Sequence, residues 1–155
     1  MNLSTKYKYE MKTLKRRIPY GISNFEEITS GKYYYVDKTQ YIETIENVNW
    51  PIFLRPKRFG KSLFTEMLKW YYDIKAKDKF EKIFGELYIG KNPTGNQNSY
   101  FVMMLNFSGM DTFVGGEIQM KEQFSEHIVS QLKNFLREYK EFLHLNHSYI
   151  DRFYH

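Results

Sequence analysis

The tripeptide Gly60-Lys61-Ser62 carries the residue types that hold the phosphates of a nucleotide. Glycine lets the backbone approach an anion closely because it has no Cβ in the way. The lysine that follows can reach the β- and γ-phosphates, and the serine hydroxyl can ligate Mg²⁺. The residue types therefore predict a phosphate-binding loop at residues 60–62.

Such a loop needs a particular setting. Consecutive backbone N–H groups must curl around the anion at a helix N-terminus, where the helix dipole also favours negative charge. The run Pro51-Ile52-Phe53-Leu54 lacks polar alternation, which is typical of a strand covered on both faces in a parallel sheet. From Leu63 to Tyr72 apolar residues recur at helical spacing. We therefore expect a strand, a loop and a helix in that order.

Arg55 stands where the phosphate-binding pattern asks for glycine, so the match is degenerate. A Gly-Lys-Ser/Thr tripeptide alone occurs by chance in roughly one chain in ten of this length. The alternative is an ordinary basic turn made by Lys57, Arg58 and Lys61, in which Gly60 only separates strand from helix. The expected strand and helix on either side favour the phosphate-binding interpretation.

Further elements are predicted along the chain. A second apolar run, Tyr100 to Phe107, predicts another buried strand, and two strands joined by a helical crossover predict a βαβ unit in an α/β fold. The other predicted elements are a short helix after a capping box at Ser23-x-x-Glu26, a brief strand or extended segment at 33–36, a helix carrying Tyr41, Ile42 and Ile45, a short helix within 75–84, an exposed loop at 90–99, and a long helix from Gly115-Gly116 to about residue 143.

The 155-residue chain is the length of one ordinary domain. It has no cysteine, which excludes disulfides and thiolate metal sites, and cytoplasm is the expected location. No run of about 18 apolar residues and no signal-peptide pattern is present, so neither membrane insertion nor secretion is expected. The histidines at 127, 144, 147 and 155 are not grouped with other metal ligands.

The net charge of +5 favours anionic partners. Part of it lies in residues 1–17, which we interpret as a basic lead-in segment. Its alternative role is an arm that contacts nucleic acid. A rival function for the whole chain follows: a non-enzymatic module whose basic loop and lead-in bind nucleic acid or a protein partner.

Three stretches together resemble a known family. They are IPYGISNFEEITSGKYYYVDKTQYIETI, PIFLRPKRFGKSLFTEMLKWYYD and YFVMMLNFSGM. They are similar to the N-terminal part of the bacterial AAA-ATPase-like family, whose members resemble P-loop ATPases and often carry a restriction-nuclease-like domain further along. The family's loop also begins with arginine, so Arg55 agrees with the resemblance. The resemblance implies a partial P-loop NTPase-like domain over 18–155, a three-layer α/β fold with a parallel sheet.

The resemblance also implies the site. ATP and Mg²⁺ are the expected cofactors, and Ser62 is the expected metal ligand. Asp37-Lys38-Thr39 matches a family motif of unknown role, for which a helix cap is the favoured interpretation. The residues expected to bind the nucleotide are Arg58, Phe59, Gly60, Lys61, Ser62 and Leu63.

One part of the family pattern has no counterpart. Members continue with an apolar strand ending in Leu-Ile-Asp-Glu-Tyr-Asp, whose carboxylates would hold Mg²⁺ and orient the attacking water. Here the second apolar run reaches Asn106, a neutral amide, and Asp111 lies beyond Gly109. We therefore expect a domain truncated before the acidic strand, with hydrolysis weak or absent unless another chain completes the site. An uncovered sheet edge would favour self-association.

Overall fold

The computed structural model describes residues 16–31, 33–108 and 116–144. These residues fall into two compact units, one ending at Tyr100 and the other beginning at Phe101. Helices dominate both units. The first contains α1 (Phe25–Ser30), α2 (Tyr41–Glu46), α3 (Lys61–Tyr72), a 3₁₀ helix (Ile74–Lys79), α4 (Phe80–Phe84) and α5 (Tyr88–Lys91), and the second contains α6 (Glu117–Glu138).

The core of the first unit lies between its helices. Phe25 of α1 contacts Phe84 of α4 with ring centroids 5.3 Å apart, and Tyr71 of α3 meets Phe84 edge-on at 5.7 Å. All three side chains are fully buried. The buried residues of this core are Phe25, Ile42, Met67, Tyr71, Ile83, Phe84 and Ile89. Aromatic rings bury large areas, so these few contacts supply much of the apolar burial that holds the short helices.

Helix α1 is confirmed, with its cap one residue later than predicted. Asn24, rather than Ser23, is the N-cap, and its Oδ1 accepts a hydrogen bond from the backbone N–H of Glu27 at 3.0 Å. Glu26 then pairs with Lys79 at 3.1 Å and with Lys82 at 3.3 Å. The ion pairs tie α1 to the 3₁₀ helix and α4.

The predicted α/β fold with a parallel sheet is wrong for the part of the chain that the structure describes. Strand-like pairing there is limited to two isolated parallel bridges, Arg17 with Tyr33 and Asp73 with Tyr100. The two predicted strands and the βαβ unit are absent from those residues. An apolar run indicates burial, but it does not say whether strands, helices or nothing will cover it.

The apolar run before the basic loop, residues 51–54, was predicted to be a buried strand and is not one. Residues 51–56 form no regular element. Ile52 and Leu54 are 82% and 79% exposed, and only Phe53 packs on a helix, stacking on Phe64 of α3 at 4.8 Å. A strand buried on both faces requires neighbours on each side, and the contact of Phe53 with α3 leaves Ile52 and Leu54 exposed.

The second run lies in the second unit from Phe101 onward, where side chains of α6 and of the turn after it bind its backbone. The Tyr139 hydroxyl accepts a hydrogen bond from the N–H of Val102 at 3.1 Å. Gln131 binds both backbone groups of Asn106: its Oε1 accepts from the N–H at 2.7 Å, and its Nε2 donates to the carbonyl at 3.2 Å. These side chains form hydrogen bonds with backbone N–H and C=O groups that a neighbouring strand was expected to bind.

The long helix is confirmed but shorter than predicted. Its last helical residue is Glu138, and Tyr139 is the C-cap, so residues 140–143 lie in turns. Tyr139 is fully buried, packed against Phe101 at 5.1 Å. The predicted start at Gly115 lies outside the described residues, and Gly116 is the N-cap. No helix among the described residues is long and apolar enough to cross a bilayer.

The segment predicted as an exposed loop, 90–99, is tied to the first unit. Thr94 Oγ1 lies 2.8 Å from the Tyr71 hydroxyl and donates to Glu46 Oε1 at 2.8 Å. Asn98 is buried and caps the C-terminal end of α3, because its Nδ2 donates to the carbonyl of Asp73 at 2.8 Å and its N–H donates to that of Tyr71 at 2.8 Å. The turn-forming composition indicated a loop, but the prediction that all of it is exposed was wrong, because Asn98 is buried.

Candidate phosphate-binding loop

The basic loop, residues 55–60, turns sharply into α3. Gly60 is the N-cap of α3 and has φ 77° and ψ 20°, in the left-handed region that favours glycine. Arg58 also has a positive φ, 67°. For a residue with a side chain that conformation costs about 1–2 kcal/mol. Strained backbone of this kind is concentrated at functional sites, so Arg58 marks the loop as a candidate.

Lys61 folds back across this loop. Its Nζ donates to the carbonyl oxygen of Arg55 at 2.7 Å and to that of Pro56 at 3.3 Å. Through the lysine side chain, the two bonds close residues 55–61 into a ring. An ammonium group has three N–H donors. Lys61 can therefore hold the loop together and still donate to an anion beside it.

The start of α3 adds backbone donors. The N–H groups of Lys61, Ser62 and Leu63 precede the first intrahelical bond, which runs from the N–H of Phe64 to the carbonyl of Gly60 at 2.9 Å. No acidic residue occupies the first turn of this 12-residue helix. The positive end of its dipole is therefore not neutralised by a neighbouring carboxylate on the same helix.

Ser62 is exposed, and its hydroxyl makes no hydrogen bond within the described residues. By contrast, the hydroxyl of Thr65, one turn further on, is engaged with the carbonyl of Lys61 at 2.7 Å. Mg²⁺ usually keeps several waters and takes one or two protein ligands beside phosphate oxygens. A single free hydroxyl next to the lysine fits that ligand requirement.

The other predicted residues divide into two kinds. Arg58 and Phe59 are exposed, Phe59 by 64%, and no ion pair involves Arg58 within the described residues. Leu63 is half-buried and packs against the core, so only its backbone N–H is suited to a ligand. Arg55 places its guanidinium 5.4 Å from the centre of the Phe53 ring, which anchors the start of the loop.

Comparison of the whole sequence with known families gives a match. A family model described as a predicted AAA-ATPase, AAA-ATPase-like, matches residues 19–155. The chain belongs to this family. Its description links the chain to ATP-related chemistry, and the match includes all of the basic loop and α3.

One curated relative of this AAA-ATPase-like chain is an uncharacterized protein in the vnfD 5′ region of Azotobacter chroococcum mcd 1. It is 45% identical over 56 residues, which cover 35% of this chain and 11% of the relative. The matched stretch thus spans about a tenth of that relative's length. No solved structure matches the chain.

A pocket of about 180 Å³ adjoins the loop in the first unit. Gly60 and Leu63 form part of its wall, and the segment before α2 forms another part. Sequence reasoning did not predict this pocket, although it singled out both segments as family motifs. The lining residues are Pro19, Tyr34, Tyr35, Val36, Lys38, Gly60, Leu63, Phe64 and Met67.

Two residues of the neighbouring motif Asp37-Lys38-Thr39 have a structural role. Asp37 Oδ1 accepts from the N–H and hydroxyl of Thr39, at 2.8 and 2.7 Å, and its Oδ2 accepts from the N–H of Tyr88 at 2.7 Å. Thr39 is buried, and its Oγ1 accepts from the N–H of Ile89 at 3.1 Å. The expected helix cap is present, but it serves α5 rather than the adjacent α2. Lys38, between them, lines the pocket instead.

Within the described residues, no group of three His, Asp or Glu side chains gathers as a metal site. His127 lies in the second unit, with Nε2 2.6 Å from the carbonyl of Asn106. The Asn106 side chain is also occupied, since its Oδ1 accepts from both the N–H and the hydroxyl of Ser108. Asp111 lies outside the described residues. Ser62, the second residue of α3, has a hydroxyl oxygen of the kind that can ligate Mg²⁺.

Proposed function

We propose that this chain binds ATP together with Mg²⁺, with the phosphates held by Gly60, Lys61 and Ser62. The observation that supports the proposal is the position of Lys61, whose ammonium folds back onto the loop and donates to the Arg55 carbonyl oxygen at 2.7 Å. A lysine of an ordinary basic turn would extend into water instead. Lys61 is also the first residue of α3, and the N-terminus of a helix favours an anion.

Binding would use groups that are in place. Backbone N–H groups at 61–63 donate to phosphate oxygens, Lys61 adds a positive charge, and the left-handed Gly60 leaves the approach open, because a Cβ built there meets no atom within 4 Å. Bound Mg²⁺ would neutralise phosphate charge, with the Ser62 hydroxyl as one ligand and phosphate and water oxygens as the others. Arg58 and Phe59 would border the phosphates.

We expect hydrolysis to be weak or absent unless a carboxylate from another chain or another part of the protein completes the site. Phosphoryl transfer depends on positioning and electrostatics, and it requires a group that orients the attacking water. Lys61, Ser62 and the backbone supply charge and hydrogen bonds to phosphate, but none of them is a base. The proposed activity is therefore binding first, with turnover conditional on that carboxylate.

The test measures the affinity of three proteins for a fluorescent ATP analogue in the presence of Mg²⁺. The proteins are the wild-type chain, Lys61→Ala and Lys57→Ala. Lys57 carries the same charge in the same loop and forms no ion pair within the described residues, so it is the matched control. We expect Lys61→Ala to weaken binding at least about tenfold, as loss of a charge-assisted hydrogen bond does. Lys57→Ala should weaken it far less. Equal affinity of the wild-type and Lys61→Ala proteins would remove the proposed site.

A second candidate function is supported by the exposed side chains around the loop. Arg55, Lys57 and Arg58 have no carboxylate partner within the described residues, and Trp50, earlier in the same stretch of sequence, is 88% exposed. Basic residues with exposed aromatic rings are typical of single-stranded nucleic-acid binding. Binding to an oligonucleotide that weakens steeply with salt and does not respond to ATP would favour this function over the first.

A further inference from the structure

We infer that the pocket beside Gly60 receives the base of the bound nucleotide, with Tyr34, Val36 and Lys38 as the residues that contact it. This inference rests on the proposed function, because the pocket is assigned relative to phosphates at Gly60-Lys61-Ser62. It adds a binding site for the uncharged ring portion of the ligand and names the segment that forms it.

The pocket and the loop share residues. Gly60 is both the N-cap of α3 and part of the pocket wall, and Leu63, whose N–H is a first-turn donor, lines the same space. Beyond its own chain neighbours, no atom lies within 4 Å of where a Cβ on Gly60 would be. One molecule can therefore extend from the first turn of α3 into the pocket past Gly60, because glycine has no side chain to block the path.

The volume of the pocket indicates which part of the nucleotide it can hold. Sites that bury a whole drug-sized molecule measure about 300–1,000 Å³. At about 180 Å³ this pocket is smaller and accommodates a ring system rather than an entire nucleoside triphosphate. The phosphates would remain outside, at the exposed ammonium of Lys61.

The chemistry of the wall matches a heterocyclic base. Tyr34 and Val36 are 47% and 76% exposed, so apolar surface on this wall remains uncovered. A base stacks on an aromatic ring with little dependence on its identity. Lys38 supplies a donor for the ring nitrogens or carbonyl oxygens of a base.

Another part of the pocket wall belongs to the packed helix α3. Leu63, Phe64 and Met67 belong to α3, and the Tyr35 hydroxyl donates to Met67 Sδ at 3.8 Å.

The segment that carries Tyr34 is fixed at both ends. At one end the backbone N–H of Tyr34 donates to the Arg17 carbonyl at 2.8 Å. At the other end Asp37 binds the backbone of α5. A wall fixed at both ends loses little conformational freedom on binding, which favours affinity.

The experiment compares ATP, inorganic tripolyphosphate and adenosine, each with Mg²⁺, by calorimetric titration of the full chain. If the pocket takes the base, ATP binds more tightly than tripolyphosphate, and Tyr34→Ala weakens ATP binding at least about fivefold while leaving tripolyphosphate affinity unchanged. Tyr34→Phe keeps the ring and should bind ATP like the wild type. Val36→Ala, at an exposed position, provides a second variant with the same expected selectivity.

Two outcomes would overturn the inference, and they differ in what they leave standing. Equal affinities for ATP and tripolyphosphate, both lost in Lys61→Ala and neither changed in Tyr34→Ala, would keep the phosphate site and remove the base pocket. Absence of binding by all three ligands would remove both. Loss of tripolyphosphate binding in Tyr34→Ala would instead place Tyr34 at the phosphates and contradict its assignment here.

Discussion

Asp37 accepts a hydrogen bond from the backbone N–H of Tyr88 at 2.7 Å, across 51 residues of sequence. The same carboxylate accepts two bonds from Thr39, whose hydroxyl in turn accepts from the N–H of Ile89. Two neighbouring side chains thus satisfy the first N–H groups of α5, which has only four residues. They join the segment that lines the proposed base pocket to the packed helices behind it.

We expect Asp37→Ala to destabilise the protein by about 1–3 kcal/mol, because the N–H groups of Thr39 and Tyr88 lose their acceptor. The measurement is the free energy of unfolding from urea titration at neutral pH. Asp78→Ala, at an exposed acidic residue of the same unit, is the control and should change stability by less than about 0.5 kcal/mol. Equal stability of the two variants would show that the bonds to α5 contribute little.

Stability should fall between about pH 10 and pH 12. Burial raises the pKa of Tyr35 from 10.0 to about 12 in the folded protein, the largest effect on that group. The unfolded chain therefore releases the phenolic proton at a lower pH than the folded chain, so unfolding releases a proton in this range and stability decreases as pH rises. The loss attributable to this residue is up to about 2–3 kcal/mol.

The check is the difference in unfolding free energy between the wild type and Tyr35→Phe, followed from pH 8 to pH 12. Phenylalanine does not titrate, so the wild type should lose more stability than the variant as pH rises. Parallel curves over the whole range would contradict the expected contribution of Tyr35. Tyr72, whose pKa is also raised, chiefly by burial and then by the Glu46 carboxylate, is present in both proteins and cancels.

Glu26 should contribute stability at neutral pH that disappears in acid. Burial alone would raise its pKa, but the hydrogen bonds and charges of Lys79 and Lys82 outweigh burial and hold the pKa below its usual 4.5. A carboxyl with a lowered folded pKa stabilises above its unfolded pKa and loses that effect as pH falls through the folded value. Glu26→Gln should therefore cost about 0.5–1 kcal/mol at pH 7.

Urea titrations of Glu26→Gln at pH 7 and at pH 2.5 measure this effect. The difference from wild type should shrink at the lower pH, where the carboxyl is protonated. High salt should reduce it at pH 7, because the lysines are exposed. A difference that persists unchanged in acid would mean that the amide disturbs packing instead.

In the second unit, Tyr139→Phe should destabilise the contact between Val102 and the residues after α6. The Tyr139 hydroxyl accepts from the N–H of Val102 and donates to its carbonyl, at 3.1 and 3.4 Å. Removing it leaves both backbone groups without that partner, for a loss of about 1–2 kcal/mol. Amide hydrogen exchange at Val102 is the readout, and it should accelerate. Tyr100→Phe, which removes a hydroxyl that donates to the Asn96 side chain at 3.0 Å, is the control and should leave that exchange rate unchanged.

Local patterns in the sequence were sufficient for several elements. Apolar residues at helical spacing predicted α3 after Gly60, and the same periodicity predicted α6 after Gly116. Turn-forming and capping residues placed the start of α1 within one residue, with Asn24 in place of Ser23. These signals succeed because a helix is built from bonds and contacts between residues three and four apart.

The sheet prediction failed because strand pairing joins residues far apart in sequence. The runs at 51–54 and 100–107 are apolar, but no local pattern states which partner covers them, and here side chains and helices supply part of that cover. The family motif at 37–39 was visible, while its partner α5 was not, since nothing near Tyr88 in the sequence indicates an acceptor 51 residues earlier.

The amino-acid sequence alone predicted that Gly60, Lys61 and Ser62, the residues we propose for phosphate binding, lie at the start of a helix. Only the tertiary structure decided that Lys61 folds back onto the Arg55 carbonyl, and that Tyr34 and Lys38 share a pocket with Gly60. The physical reason is the range of the interactions. Helix starts depend on neighbours along the chain, whereas a pocket depends on which distant segments pack together.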